Sequence, residues 1–162
     1  NRITGEVSVI DGGRALTMNG QAFVANMAWG APSVGNYSAV QLHNPIGNTK
    51  WAAVSRVIVA STGASAIALR PTLAGILTVS TPPQPKKVDT GTTNTTMESR
   101  IEQPATTPGG NVLGYVWCNA NDPFTFEFKE PVILKPGQGL VAVTGAVNST
   151  IVANFDFYEF TP

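Results

Sequence analysis

The sequence predicts an all-β protein, a sandwich or barrel of short antiparallel strands. Apolar residues recur with a period of two, and nowhere with the spacing of an amphipathic helix. Strand-like runs stand at regular intervals with turn chemistry between them. A chain of 162 residues is the size of one domain, so a single unit spanning 1–162 with its own hydrophobic core is expected.

The first candidate strands are Gly5–Ile10 (GEVSVI) and Gln21–Trp29 (QAFVANMAW), separated by the turn signals Asp11-Gly12-Gly13 and Asn19-Gly20. Tyr37–Asn44 (YSAVQLHN) follows and stops at Asn44-Pro45, a turn dipeptide. Trp51–Ala60 (WAAVSRVIVA) and Ser65–Pro71 (SAIALRP) flank Ser61-Thr62-Gly63. Asn111–Asn119 (NVLGYVWCN) is next, and in DPFTFEFKE Phe124, Phe126 and Phe128 point one way while Thr125, Glu127 and Lys129 point the other. EPVIL leads into Lys135-Pro136-Gly137. There Pro136 presets φ and Gly137 accepts positive φ, the signature of a type II turn. Gly139–Val147 (GLVAVTGAV) and a last strand in STIVANFDFYEF complete the set, with Ile151, Ala153, Phe155 and Phe157 on one face.

From about 80 to 110 the chain departs from this pattern and is rich in Pro, Thr, Gly and Asn. A long connection between two sheets and a binding loop are both open there. Within it MESRIEQ carries Glu98 and Glu102 four apart, like charges that oppose a helix, so a strand or extended segment is expected.

Charged residues are 12% of the chain, against about 25% in ordinary soluble domains. None occurs between Ala15 and Thr49. Neutral surface is tolerated best beneath another subunit, which makes this span the expected subunit or particle contact. Balanced, scattered charges lack the footprint of a nucleic-acid binder. No apolar run is long enough for a membrane span, so no membrane insertion is expected. One cysteine, Cys118, allows no intrachain disulfide and is expected to be a buried, inert thiol.

Chemistry is hard to find. His43 is the only histidine, in phase with Gln41, and is expected to point away from the core. With one His and one Cys a zinc site lacks ligands. Glu127 and Asp156 sit on outward faces of candidate strands, a weak signal for a glycosidase-like carboxylate pair. No nucleotide-binding or hydrolase motif is present. No catalytic residue, metal site or cofactor is therefore expected. Trp29, Tyr37 and Trp51 are candidate ligand-stacking aromatics, Trp117 and Tyr115 further ones, though strand aromatics mostly serve the core.

The runs SAVQLHNPIGNTKWAAVSRVIVAST and EPVILKPGQGLVAVTGAVNSTIVANFDFYEF resemble small all-β structural proteins of tailed bacteriophages. The carriers are Asn44, Pro45 and Gly47, then Pro131, Leu134, Gly137, Gly139 and Leu140, then Phe155 and Phe157. The resemblance covers about two thirds of the chain, outside the Thr-rich region. It implies an antiparallel β-sandwich of jelly-roll type, a homotrimer, and a non-enzymatic virion role in capsid decoration, a head fibre or spike, or tail attachment. Capsid or tail proteins would be the partners. A carbohydrate- or host-receptor-binding module of a tail fibre or surface protein is the alternative, with host-surface glycan as its ligand.

Overall fold

The computed structural model describes residues 21–28, 33–77, 83–92 and 95–162. The expected strand over 5–10, its turns and Trp29 lie outside the described residues. These form ten strands: β1 (Ala22–Ala28), β2 (Ala39–His43), β3 (Trp51–Ser61), β4 (Ser65–Thr72), β5 (Lys86–Lys87), β6 (Glu98–Glu102), β7 (Gly114–Cys118), β8 (Phe124–Leu134), β9 (Gly139–Thr144) and β10 (Ile151–Phe160). Every strand pair is antiparallel. The fold is an all-β sandwich of two five-stranded sheets, ordered β5-β1-β10-β3-β8 and β6-β2-β9-β4-β7.

Alternation sets the two inner faces. Phe23, Ala25 and Met27 of β1 and Ile151, Ala153, Phe155 and Phe157 of β10 point inward and are buried, while Asn26 and Val152 point out. Opposite them stand Val40, Leu42, Ile67, Leu69 and Leu140 of the second sheet, in the same core cluster. Phe23 stacks on Phe157 at 5.5 Å between ring centroids. At about 25 cal/mol per Å² of apolar area, this layer is the main favourable term of the fold.

The second sheet is buried on its outer face as well. Every residue of β2 and β9 is buried. Ala39, Ala68, Val141 and Val143 form a second cluster beneath Leu77, with Tyr37 packed against it. Part of the uncharged span therefore has an intramolecular cause, because Ala39–Asn44 is interior to this chain. Among its described residues the exposed ones are Asn26 and Ala28 on β1, Ser33–Gly35 before β2, and Ile46, Gly47 and Thr49 after it.

The Pro- and Thr-rich region is no single loop. β5 pairs with β1 and β6 with β2, extending both sheets on one flank. The extended reading of MESRIEQ is met by β6. β8 joins FTFEFKE and EPVIL into one strand of 11 residues. Its pairing with β3 shifts register between Val54 and Arg56, where Val132 and Glu127 are the partners and the intervening β8 residues bulge around Ser55.

Candidate functional site

Both turn motifs are built as the sequence requires. Gln138 N–H donates to Lys135 C=O at 2.9 Å, and Gly137 has φ of 86°. Asn48 N–H donates to Pro45 C=O at 3.2 Å, with Gly47 at φ 89°. The two turns meet: Gly137 N–H donates to Asn44 C=O at 2.7 Å and Asn44 N–H to Gln138 C=O at 2.8 Å. Gly139 opens β9 beside them, and Pro136 is half-buried. These residues form a structural corner rather than a ligand site.

The aromatic candidates do not converge. Trp51 is half-buried on the outer face of the first sheet, edge-on to Phe160 at 6.1 Å, with Lys135 Nζ 5.0 Å from its ring centre. Tyr37 packs against the outer face of the second sheet. The exposed aromatics are instead Tyr115 and Trp117, each 66% accessible. They share the outward face of β7, opposite Val116 and Cys118. The period-two pattern of GYVWC held that signal, but it does not say that the strand lies at an edge.

Among the described residues β7 pairs only with β4, and β8 only with β3. Their edges meet on the flank opposite β5 and β6. Phe126 closes part of the gap, because a Cβ on Gly114 would stand 2.7 Å from its ring. Phe124 meets Phe126 edge-on at 4.9 Å, and it stays 40% exposed. Val112 and Leu113, also exposed, continue the apolar strip beside β4, where Leu113 N–H donates to Leu69 C=O at 2.8 Å. Past Gly110 lies an apolar cleft of ≈ 620 Å³ whose walls include Leu73, Ile76, Val132 and Ile133. This strip of exposed apolar side chains runs from Trp117 toward the cleft, at whose rim Arg70 Nη1 donates to Gly110 C=O at 2.8 Å.

Glu127, Arg56 and Asp156 lie in one cross-strand row, and Arg56 Nε donates to Asp156 Oδ2 at 2.7 Å. The two outward carboxylates thus stand on either side of Arg56 in the row instead of facing each other across a groove. No three His, Cys, Asp or Glu side chains converge among the described residues. His43 does lie on the outer face with Gln41, yet it is 4% exposed, under residues 73–77. Cys118 is buried, and burial followed by the Asp122 charge pushes its thiol pKa up.

Compared with protein-family models, curated protein sequences and solved structures, the chain matches none.

Proposed function

We propose that this chain is a non-enzymatic structural component of a bacteriophage particle, of the capsid-decorating, head-fibre or spike type, acting as a homotrimer attached to capsid or tail proteins. The observation that carries this reading is the β7–β8 flank, uncovered among the described residues, with its strip of exposed apolar side chains from Trp117 to the Leu73–Ile133 cleft. A face of that kind gains most from burial against another subunit, and symmetric association repeats it at each contact. The strand order supports a jelly-roll assignment. With β5 and β6 set aside, the sheets read β1-β10-β3-β8 and β2-β9-β4-β7, and consecutive strands alternate between sheets except at the β4-to-β7 passage. The docking of the two turn motifs is consistent with the phage resemblance, since Asn44 and Gly137, which carry part of it, meet in one corner.

The test is the solution mass across a dilution series by light scattering, for the wild type and for Tyr115→Ser/Trp117→Ser. A mass three times the 17.0 kDa chain, lost in the variant, is the expected result. A wild type that stays monomeric at high concentration removes the trimer. Retention of the trimer in the variant moves the contact elsewhere.

One observation favours a second reading, a carbohydrate- or receptor-binding module. Tyr115 and Trp117 stand two residues apart on one face, about 7 Å along an exposed strand, a spacing at which two rings can stack on adjacent sugar faces. Glycan-array binding that disappears in the same variant, by a protein of monomeric mass, is the result that selects it.

A further inference from the structure

The outer face of the second sheet carries a short strap, Leu73–Leu77, that no strand pairing among the described residues holds. It is fastened by side chains from below. Gln41, fully buried, donates from Nε2 to Thr72 Oγ1 at 2.8 Å and to Ala74 C=O at 3.1 Å, and its Oε1 accepts from Leu77 N–H at 3.4 Å. Gly139 makes room for that amide, since a Cβ there would stand 2.5 Å from Gln41 Nε2. Arg100 Nη1 reaches Leu77 C=O at 3.5 Å. Gly75 lies directly over the same guanidinium: a Cβ on it would stand 2.0 Å from Arg100 Nη1 and 3.0 Å from His43 Cε1.

His43 is the weak point under this strap. Neither ring nitrogen has a hydrogen-bond partner among the described residues, and Nδ1 is 3.6 Å from Glu98 Oε2, beyond bonding distance. That oxygen is already taken by Arg100, through Nη2 at 2.8 Å and Nε at 3.1 Å. Among the described residues, the charged groups facing the imidazole are therefore Glu98 and Arg100, both from β6. β9 presents only Gly139 opposite it, β4 presents Thr72 beyond that glycine, and the strap has no titratable side chain. With His43 neutral the cluster sums to zero. One more proton puts two cations on one carboxylate under a closed cover.

We propose that the strap Leu73–Leu77 is a pH-sensitive cover, released when His43 takes up a proton. A protonated imidazole draws Glu98 away from Arg100, and Arg100 is the group beneath Gly75 that reaches Leu77 C=O. Release uncovers Ala39, Ala68, Val141 and Val143 and removes Leu73 and Ile76 from the apolar cleft. The direction of the effect follows from the burial of His43. Burial, then the Arg100 charge, holds its pKa below the ordinary 6.5 while the strap is closed. The open form hydrates the ring and binds the proton more tightly. Acid therefore favours opening below about pH 6.5, by at most about tenfold per pH unit for one proton, and pH has no effect through this group above that range.

Hydrogen exchange of residues 73–77, corrected for the intrinsic pH dependence of exchange, tests this in the intact chain between about pH 7.5 and 5.5. The imidazole signal of the single histidine is followed by NMR over the same range. The expected result is loss of strap protection in acid while β9 and β10 stay protected, with its midpoint on the imidazole titration, and no such loss in His43→Asn. Strap protection that does not change with pH overturns the proposal, and so does an acid loss that persists in His43→Asn. Should that variant fail to fold, a strap midpoint displaced from the wild-type imidazole titration overturns it equally.

Discussion

Asn44 and Gly137 hold two turns together across 93 residues of chain: the Gly137 amide donates to Asn44 C=O at 2.7 Å. The Asn44 side chain extends the clamp. Its Nδ2 donates to Leu134 C=O at 2.9 Å, at the end of β8, and to Lys50 C=O at 3.0 Å, just before β3. Its Oδ1 accepts from Asn48 Nδ2 at 2.7 Å. One buried side chain thus ties the first sheet, through β3 and β8, to the second, through β2 and β9. A sandwich has few covalent constraints between its layers, so a corner of this kind fixes how the sheets register.

Replacing Asn44 by Ala leaves the carbonyls of Leu134 and Lys50 without that donor in a buried setting. The expected cost is about 2–4 kcal/mol, the sum of lost hydrogen bonds and of stranded acceptors. Urea denaturation reads it as a lower midpoint at unchanged slope. A loss under about 0.5 kcal/mol would mean that water replaces the amide and the corner is not a clamp.

Two glycines of these motifs should fail for different reasons when changed to Ala. Gly47 has φ of 89° and nothing within 4 Å of a built Cβ, so only backbone strain is at stake, about 1 kcal/mol. Gly139 is crowded: its Cβ would meet Gln41 Nε2 at 2.5 Å and Leu42 C=O at 3.0 Å. There the cost is overpacking of about 1–3 kcal/mol, and Gln41 must give up the strap. Thermal unfolding of both variants, with exchange of residues 73–77 as a second readout, separates them: only Gly139→Ala should loosen the strap.

Strand positions were legible because most strands here are half-buried, and half-burial writes a period of two into the sequence. Phe124–Phe128 and Ile151–Phe157 show it plainly. β9 was legible as a short apolar run bounded by Gly-rich turns, although the sequence does not reveal that its outer face is covered. That cover is the strap 73–77, which has no periodicity, and for the same reason His43 reads as outward but is buried. β5, two lysines among prolines, has no pattern and is defined by its pairing with Phe23 and Val24 alone. Exposure of Tyr115 and Trp117 depends on β7 being an edge, a property of sheet order that local alternation does not encode.

Glu159 is an inward carboxylate, 2% exposed, at the end of β10. Its Oε1 accepts from Thr95 Oγ1, from Thr96 N–H at 2.9 Å and from Thr96 Oγ1 at 3.2 Å, while Oε2 meets Lys50 Nζ at 3.3 Å. The Thr-rich segment leading into β6 is thereby anchored to the last strand. Glu159→Gln keeps the shape, weakens the charge-assisted bonds and turns an amide NH₂ toward one set of donors. The expected loss is about 1–3 kcal/mol, with faster hydrogen exchange over residues 95–102. Unchanged exchange there would show that β6 is held by its pairing with β2 alone.

Cys118 provides a check on the open flank. It ends β7, 2% exposed, facing inward beside Val116, and burial followed by the negative charge of Asp122 raises its thiol pKa. The reactive species is the thiolate, so both the low thiolate fraction and the burial slow its attack on a disulfide reagent. In the native protein at about pH 8, labelling is expected to be at least tenfold slower than in urea, and to speed up as pH rises. Asp122→Asn removes the smaller of the two causes, so it should lower the thiol pKa and raise the native rate by only a modest factor. A native rate equal to the unfolded one would mean that β7 peels from β4 on the reaction timescale, and the apolar strip on its outward face would then be a mobile edge rather than a fixed docking surface.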